Sequence, residues 1–131
     1  MKDEAHEWLK YAAADLSAAE DMLATGHPSH CIVLCQQAVE KAIKALIAET
    51  TGETPPKIHD LVELARAANL SLPNEQEVTL AELTHLYIES RYPVLPGAGD
   101  SPDSDAAASD YLGYARGFCD WIRDKIVLAD S

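Results

Sequence analysis

Hydrophobic and polar positions along this chain recur at the helical period almost throughout. The densest apolar stretch runs from Cys31 to Ala48, CIVLCQQAVEKAIKALIA. Placed on a helix at about 100° per residue, its polar members Gln36, Gln37, Glu40, Lys41 and Lys44 fall in one arc of roughly 140°. Every other position is apolar: Ile32, Val33, Leu34, Ala38, Val39, Ala42, Ile43, Leu46 and Ile47 among them. A helix apolar over most of its circumference has to be covered from several sides. The pattern predicts the central helix of a bundle, with one polar stripe that either faces solvent or is aimed at a ligand.

The flanking segments read as its cover. Ala5, Trp8, Leu9, Ala12, Leu16, Ala19 and Leu23 make one stripe of a first helix over Asp3 to Thr25. Gly26 suits its C-terminal end, and His27-Pro28-Ser29 is a tight link into an antiparallel second helix ending near Glu49. TTGETPP then breaks the pattern. A short third helix is predicted over His59 to Ala68, with Leu61, Leu64, Ala65 and Ala68 inward. A fourth opens at Pro73-Asn74, carries Leu80, Leu83 and Tyr87 on one side, and stops at Tyr92 because Pro93 biases that residue away from the α region. PVLPGAGDSPDSD reads as a loop, expected to be the most mobile segment. The last helix spans Ser104 to Leu128 and buries Tyr111, Ala115, Phe118, Cys119, Ile122 and Ile126. The expected fold is all-α: an up-and-down four-helix bundle with an additional short helix, in one domain over residues 1–131.

Charge narrows the function. Ten basic residues against 22 acidic ones give a net charge of −12. Gripping nucleic acid through bulk electrostatics needs the opposite field, so that class is excluded. Residues 31–60 are nearest to neutral, with Lys41, Lys44 and Lys57 set against Glu40, Glu49, Glu53 and Asp60. An anionic small ligand fits best there. MKDEAHEW is not a secretory leader, and the apolar run at Cys31–Cys35 is too short to span a bilayer, so a cytoplasmic protein with no membrane association is expected. Cys31 and Cys35, four apart on a helix, are too widely separated for a disulfide and are expected as reduced core thiols.

Several short motifs occur together in order. Trp8 and Ala13-Ala14-Asp15-Leu16 precede Gln36-Gln37-Ala38-Val39-Glu40-Lys41-Ala42-Ile43-Lys44-Ala45. Lys57-Ile58-His59-Asp60-Leu61 and Arg91-Tyr92-Pro93 follow. In this order and spacing the chain resembles the HEPN domain family of small α-helical proteins, over nearly its whole length. The resemblance implies a helical core that dimerises around a cleft. It also implies a place in toxin–antitoxin pairs beside a minimal nucleotidyltransferase, with metal-independent ribonuclease activity in some members and nucleotide binding in others. The ribonuclease members carry Arg, a four- to six-residue spacer, then His. From Arg91 that His would fall at 96, 97 or 98, where the chain has Pro96, Gly97 and Ala98. Ribonuclease action is therefore disfavoured, although His59 offers a substitute acid–base group.

The candidate ligand residues are Lys41, Lys44, His59, Tyr87 and Arg91. Arg91 follows Tyr87 by four positions on a face that is otherwise apolar, so it has to be paired, to Glu40 or Asp60, or face an anion. Lys41 and Lys44 either meet phosphate oxygens across a dimer cleft or sit on a solvated face with Glu40 and Lys44 as an i, i+4 pair, the second being preferred. Asp60 suits a helix start, and that local role is preferred to catalysis for it and His59. His27, His30, Cys31 and Cys35 match no common zinc spacing, so neither a metal site nor a cofactor is expected. The reading that follows is a homodimeric binding or partner module for a nucleotide or a cognate nucleotidyltransferase. Its alternatives are a ribonuclease toxin with a variant site and a structural dimer without a ligand.

Overall fold

A computed structural model describes residues 1–93 and 104–130. Five helices follow one another: α1 Asp3–Ala24, α2 Pro28–Thr51, α3 Leu61–Ala67, α4 Asn74–Glu89 and α5 Asp105–Asp130. No strand occurs among the described residues. The all-α architecture is the one the apolar periodicity predicts. Most of the loop predicted after Tyr92 lies outside the described residues.

Helix α2 packs on all four other helices, most extensively on α1 and then on α5. Fifteen of its residues are buried, including eight in succession from Ala42 to Glu49. It is the central helix that its composition demands. One expectation is corrected here. The middle of the polar stripe does not face solvent, because Gln36, Glu40 and Lys44 are as buried as the apolar residues beside them, while Gln37 and Lys41 at its edge are partly exposed. The α1 helix and the segment leading into α3 cover it. Since the apolar circumference of α2 is covered within the chain, it offers no argument for a dimer.

The helix ends follow local chemistry. Gly26 takes φ +84° and the His27 N–H reaches back to the Met22 carbonyl at 2.8 Å, closing α1 before Pro28 opens α2. Two residues longer than predicted, α2 is extended by Thr50 and Thr51, whose hydroxyls donate to the Leu46 and Ile47 carbonyls. Gly52 then caps it at φ +70°. Asn69 ends α3 at φ +58°, a conformation Asn tolerates better than most residues. Helix α4 stops at Glu89 rather than Tyr92. Ahead of Pro93 the chain tightens into i→i−3 bonds, Arg91 N–H to Ile88 O and Tyr92 N–H to Glu89 O. Ser104 accepts from the Ala107 N–H at 3.1 Å and so starts α5.

Candidate functional site

Glu40 lies at the centre of the buried polar stripe, bonded by side chains of α2 and of the segment before α3. Gln36 and Lys44 stand one turn before and one turn after it on α2. Lys44 Nζ is 3.0 Å from Oε2, and Gln36 Nε2 donates to Oε1 at 3.2 Å. His59 arrives from the segment before α3 and places Nδ1 2.9 Å from Oε1. The same Gln36 amide donates to the His59 carbonyl at 2.9 Å, which fixes the backbone that carries the imidazole. Trp8 of α1 lies 5.6 Å from Lys44 Nζ, and Tyr87 of α4 sets its ring 5.7 Å from the His59 ring.

Two further bonds hold the His59–Leu61 segment in register. Asp60 accepts from the Glu63 N–H at 3.1 Å, the N-cap role expected of it. The Thr84 hydroxyl, buried on α4, accepts from the Leu61 N–H at 3.1 Å. As a consequence α3 begins at Leu61, and His59 stands outside the helix predicted to contain it.

Burial separates the members of this cluster. The Glu40 and Lys44 side chains are 10% and 7% exposed, whereas that of His59 is 54% exposed. Burial pushes the Glu40 carboxyl upward, but bonds from His59, Lys44 and Gln36 outweigh it and hold the group below the ordinary carboxylate range. An ionised Glu40 keeps the proton of His59 on Nδ1. The other ring nitrogen is then left to hydrogen-bond outside the cluster, or to exchange a proton there. Gln36 Oε1 is buried and lacks a partner among the described residues.

The structure brings together three of the five predicted ligand residues, Lys44, His59 and Tyr87. Lys41 turns the other way and pairs with Asp15 of α1 at 2.6 Å. Arg91 lies beyond the end of α4, is exposed, and forms no ion pair among the described residues. Neither of its anticipated partners is free, since Glu40 holds Lys44 and His59 while Asp60 caps α3. The anticipated Glu40–Lys44 pair is present, but in the interior rather than on a solvated face.

Glu40, Gln36 and Thr84 were not predicted as ligand-site residues. The i, i+4 spacing of Gln36, Glu40 and Lys44 was a visible signal for the first two. Nothing local pointed to Thr84. No group of three metal-ligating side chains occurs among the described residues, and the His27 and His30 rings make only an edge contact at 5.9 Å. Cys31, Cys35 and Cys119 are free thiols in the core, as expected for the first two.

A family model for the HEPN domain matches residues 5–125. The chain belongs to the HEPN domain family. A solved archaeal structure described as a HEPN homologue, ST0689, is 26% identical, with a TM-score of 0.75 over 96% of this chain and 99% of that one. TT1696 from Thermus thermophilus shares the fold at 23% identity, with a TM-score of 0.77 over 95% of this chain and 99% of that one. No curated protein matches this HEPN chain. None of its described helices is long and apolar enough to cross a membrane.

Proposed function

We propose that this HEPN domain is a homodimeric binding module that takes the phosphate of a nucleotide at a rim of His59 and Tyr87, with Arg91 reaching it from beyond the end of α4. It would act beside a cognate nucleotidyltransferase in a toxin–antitoxin pair in the cytoplasm, as the resemblance to family members implies. The carrying observation is His59, half exposed, with Nδ1 held 2.9 Å from a buried carboxylate and its ring against Tyr87. Such an imidazole is oriented before any ligand arrives, which lowers the ordering cost of binding. Arg91, exposed and without an ion pair among the described residues, supplies a guanidinium fork suited to two phosphate oxygens.

Lys41 and Lys44 have lesser roles in this reading. Each is engaged by a carboxylate, and Lys44 is buried beneath the rim. A phosphate would have to displace an internal pair to reach either one. The test is calorimetric titration of ATP and GTP into wild type and into Arg91→Ala, His59→Ala and Lys41→Ala variants. Binding should weaken by about tenfold or more without Arg91 or His59, the scale of a charge-assisted contact, and be little changed without Lys41. No heat from wild type with either nucleotide would remove the nucleotide reading. Sedimentation showing a monomer at tens of micromolar, an ordinary working range, would remove the dimer.

The Glu40–His59 bond also favours a second reading, acid–base catalysis. A carboxylate that orients a histidine is what proton transfer from a ribose hydroxyl requires. Cleavage of single-stranded RNA by purified protein, lost in His59→Ala, would establish it in place of the binding module.

A further inference from the structure

Helix α4 carries two apolar faces. One holds Leu80 and Leu83, fully buried against the bundle. The other holds Val78, Ala81 and Ile88, with His85, which pairs with Glu89 at 3.1 Å, between them at helical spacing, and Tyr92 lies just past the helix end. At 100° per residue the four helical positions fall within an arc of roughly 80°, the width of a coiled-coil seam. They and Tyr92 are exposed, Val78 by 56%, Ile88 by 49% and Tyr92 by 70%. A seam of this spacing on the outer side of a surface helix is the form in which helices recognise one another.

Charge indicates what covers it. Along one edge of the seam stand Glu75, Glu82 and Glu89, seven residues apart, in the flanking position that sets partner choice in helix pairs. The opposite edge carries Glu77 and the buried Thr84. An antiparallel two-fold pairing of α4 with itself would set the row of three carboxylates against its own copy. Like charges in register oppose such pairing, and the net charge of −12 adds to the repulsion. A helix with basic residues beside its apolar stripe meets the row with opposite charge.

We infer that the outer face of α4 docks a basic amphipathic helix of a partner protein, with its apolar stripe on Val78, Ala81, Ile88 and Tyr92 and its lysines or arginines against Glu75, Glu82 and Glu89. The inference does not rest on the nucleotide reading. Tyr87, which belongs to the nucleotide rim, lies roughly 135° around α4 from the middle of the seam.

Three synthetic helical peptides test it. One has a leucine seam with lysine flanks, one the same seam with glutamate flanks, and one the lysine composition with the seam scrambled. Titrated into wild type, the first is expected to bind at least about tenfold more tightly than the other two. Val78→Ser/Ile88→Ser should abolish that preference while leaving the circular dichroism unchanged. Glu75→Lys/Glu82→Lys/Glu89→Lys should transfer it to the glutamate-flanked peptide. Equal binding of the scrambled peptide would reduce the effect to bulk charge and overturn the proposal, as would failure of all three to bind. A wild-type dimer that Ile88→Ser dissociates would overturn it too, because the seam would then be a self-contact.

Discussion

His59 Nδ1 lies 2.9 Å from Glu40 Oε1, and this bond ties an exposed imidazole to the middle of the most buried helix. The same carboxylate holds Lys44 through its other oxygen at 3.0 Å. Glu40 is thus the shared anchor of a buried cation and a surface histidine, and the consequences of altering it differ on the two sides.

Replacing Glu40 with Ala leaves the Lys44 ammonium in the interior without a carboxylate. Removing one partner of a buried pair costs about 3–5 kcal/mol, so the melting temperature should fall sharply. Glu40→Ala together with Lys44→Met should recover much of that loss, because no unpaired charge remains. Chemical denaturation of the two single variants and the double variant measures the coupling.

The low proton affinity of Glu40 also sets an acid limb to stability. Its folded pKa is held below the unfolded value, so its contribution is present above the ordinary glutamate value of about 4.3. It is lost as the pH falls through the folded pKa. Glu40→Gln should therefore flatten the dependence of stability on pH below about 4.3. Denaturation midpoints across an acid series read this directly.

The segment carrying His59 depends on two side chains outside α2. Thr84→Val removes the acceptor for the buried Leu61 N–H and should cost about 1–3 kcal/mol. Asp60→Ala removes the α3 cap and should cost about 1 kcal/mol. Both variants should loosen His59 before the bundle unfolds, seen as faster hydrogen exchange at Leu61 and Glu63 than in wild type.

Arg91→Ala should leave stability within about 0.5 kcal/mol of wild type, since the side chain is exposed and forms no ion pair among the described residues. Loss of nucleotide affinity at unchanged melting temperature would then belong to the ligand. A sharp drop in melting temperature would show a structural role instead.

The thiols should be silent in the folded protein. Burial pushes Cys119 up to about 12, and Cys31 and Cys35 are raised as well, chiefly by burial. A thiol reagent at pH 8 should label none of the three rapidly in native buffer and all of them in urea. Fast labelling of one native thiol would contradict the packing around it.

The sequence by itself determined the helices, the central position of α2 and most inward residues of α3 and α5. These follow from the helical repeat and from which side chains water excludes, and both are written locally. Tyr111 and Ala68, predicted inward, are only partly buried, and Leu112 rather than Tyr111 enters the core. Its local motifs also carried the HEPN resemblance, the Asp60 cap and the Glu40–Lys44 pair, whose partners stand within one turn of each other. Tertiary structure alone decided which polar residues lie inside. Lys41 and Lys44 occupy adjacent parts of one stripe, yet one turns to Asp15 on α1 and the other is enclosed beneath Trp8 and beside Glu40. That choice depends on how α1 and the segment before α3 cover α2, and residues far apart in the chain set it. The same holds for Thr84 beneath Leu61 and for the exposure of Arg91, which the early end of α4 carries off the helical face its spacing suggested. Periodicity assigns a side to each residue of a helix, but only packing against other segments decides whether that side meets water, a charge or the core.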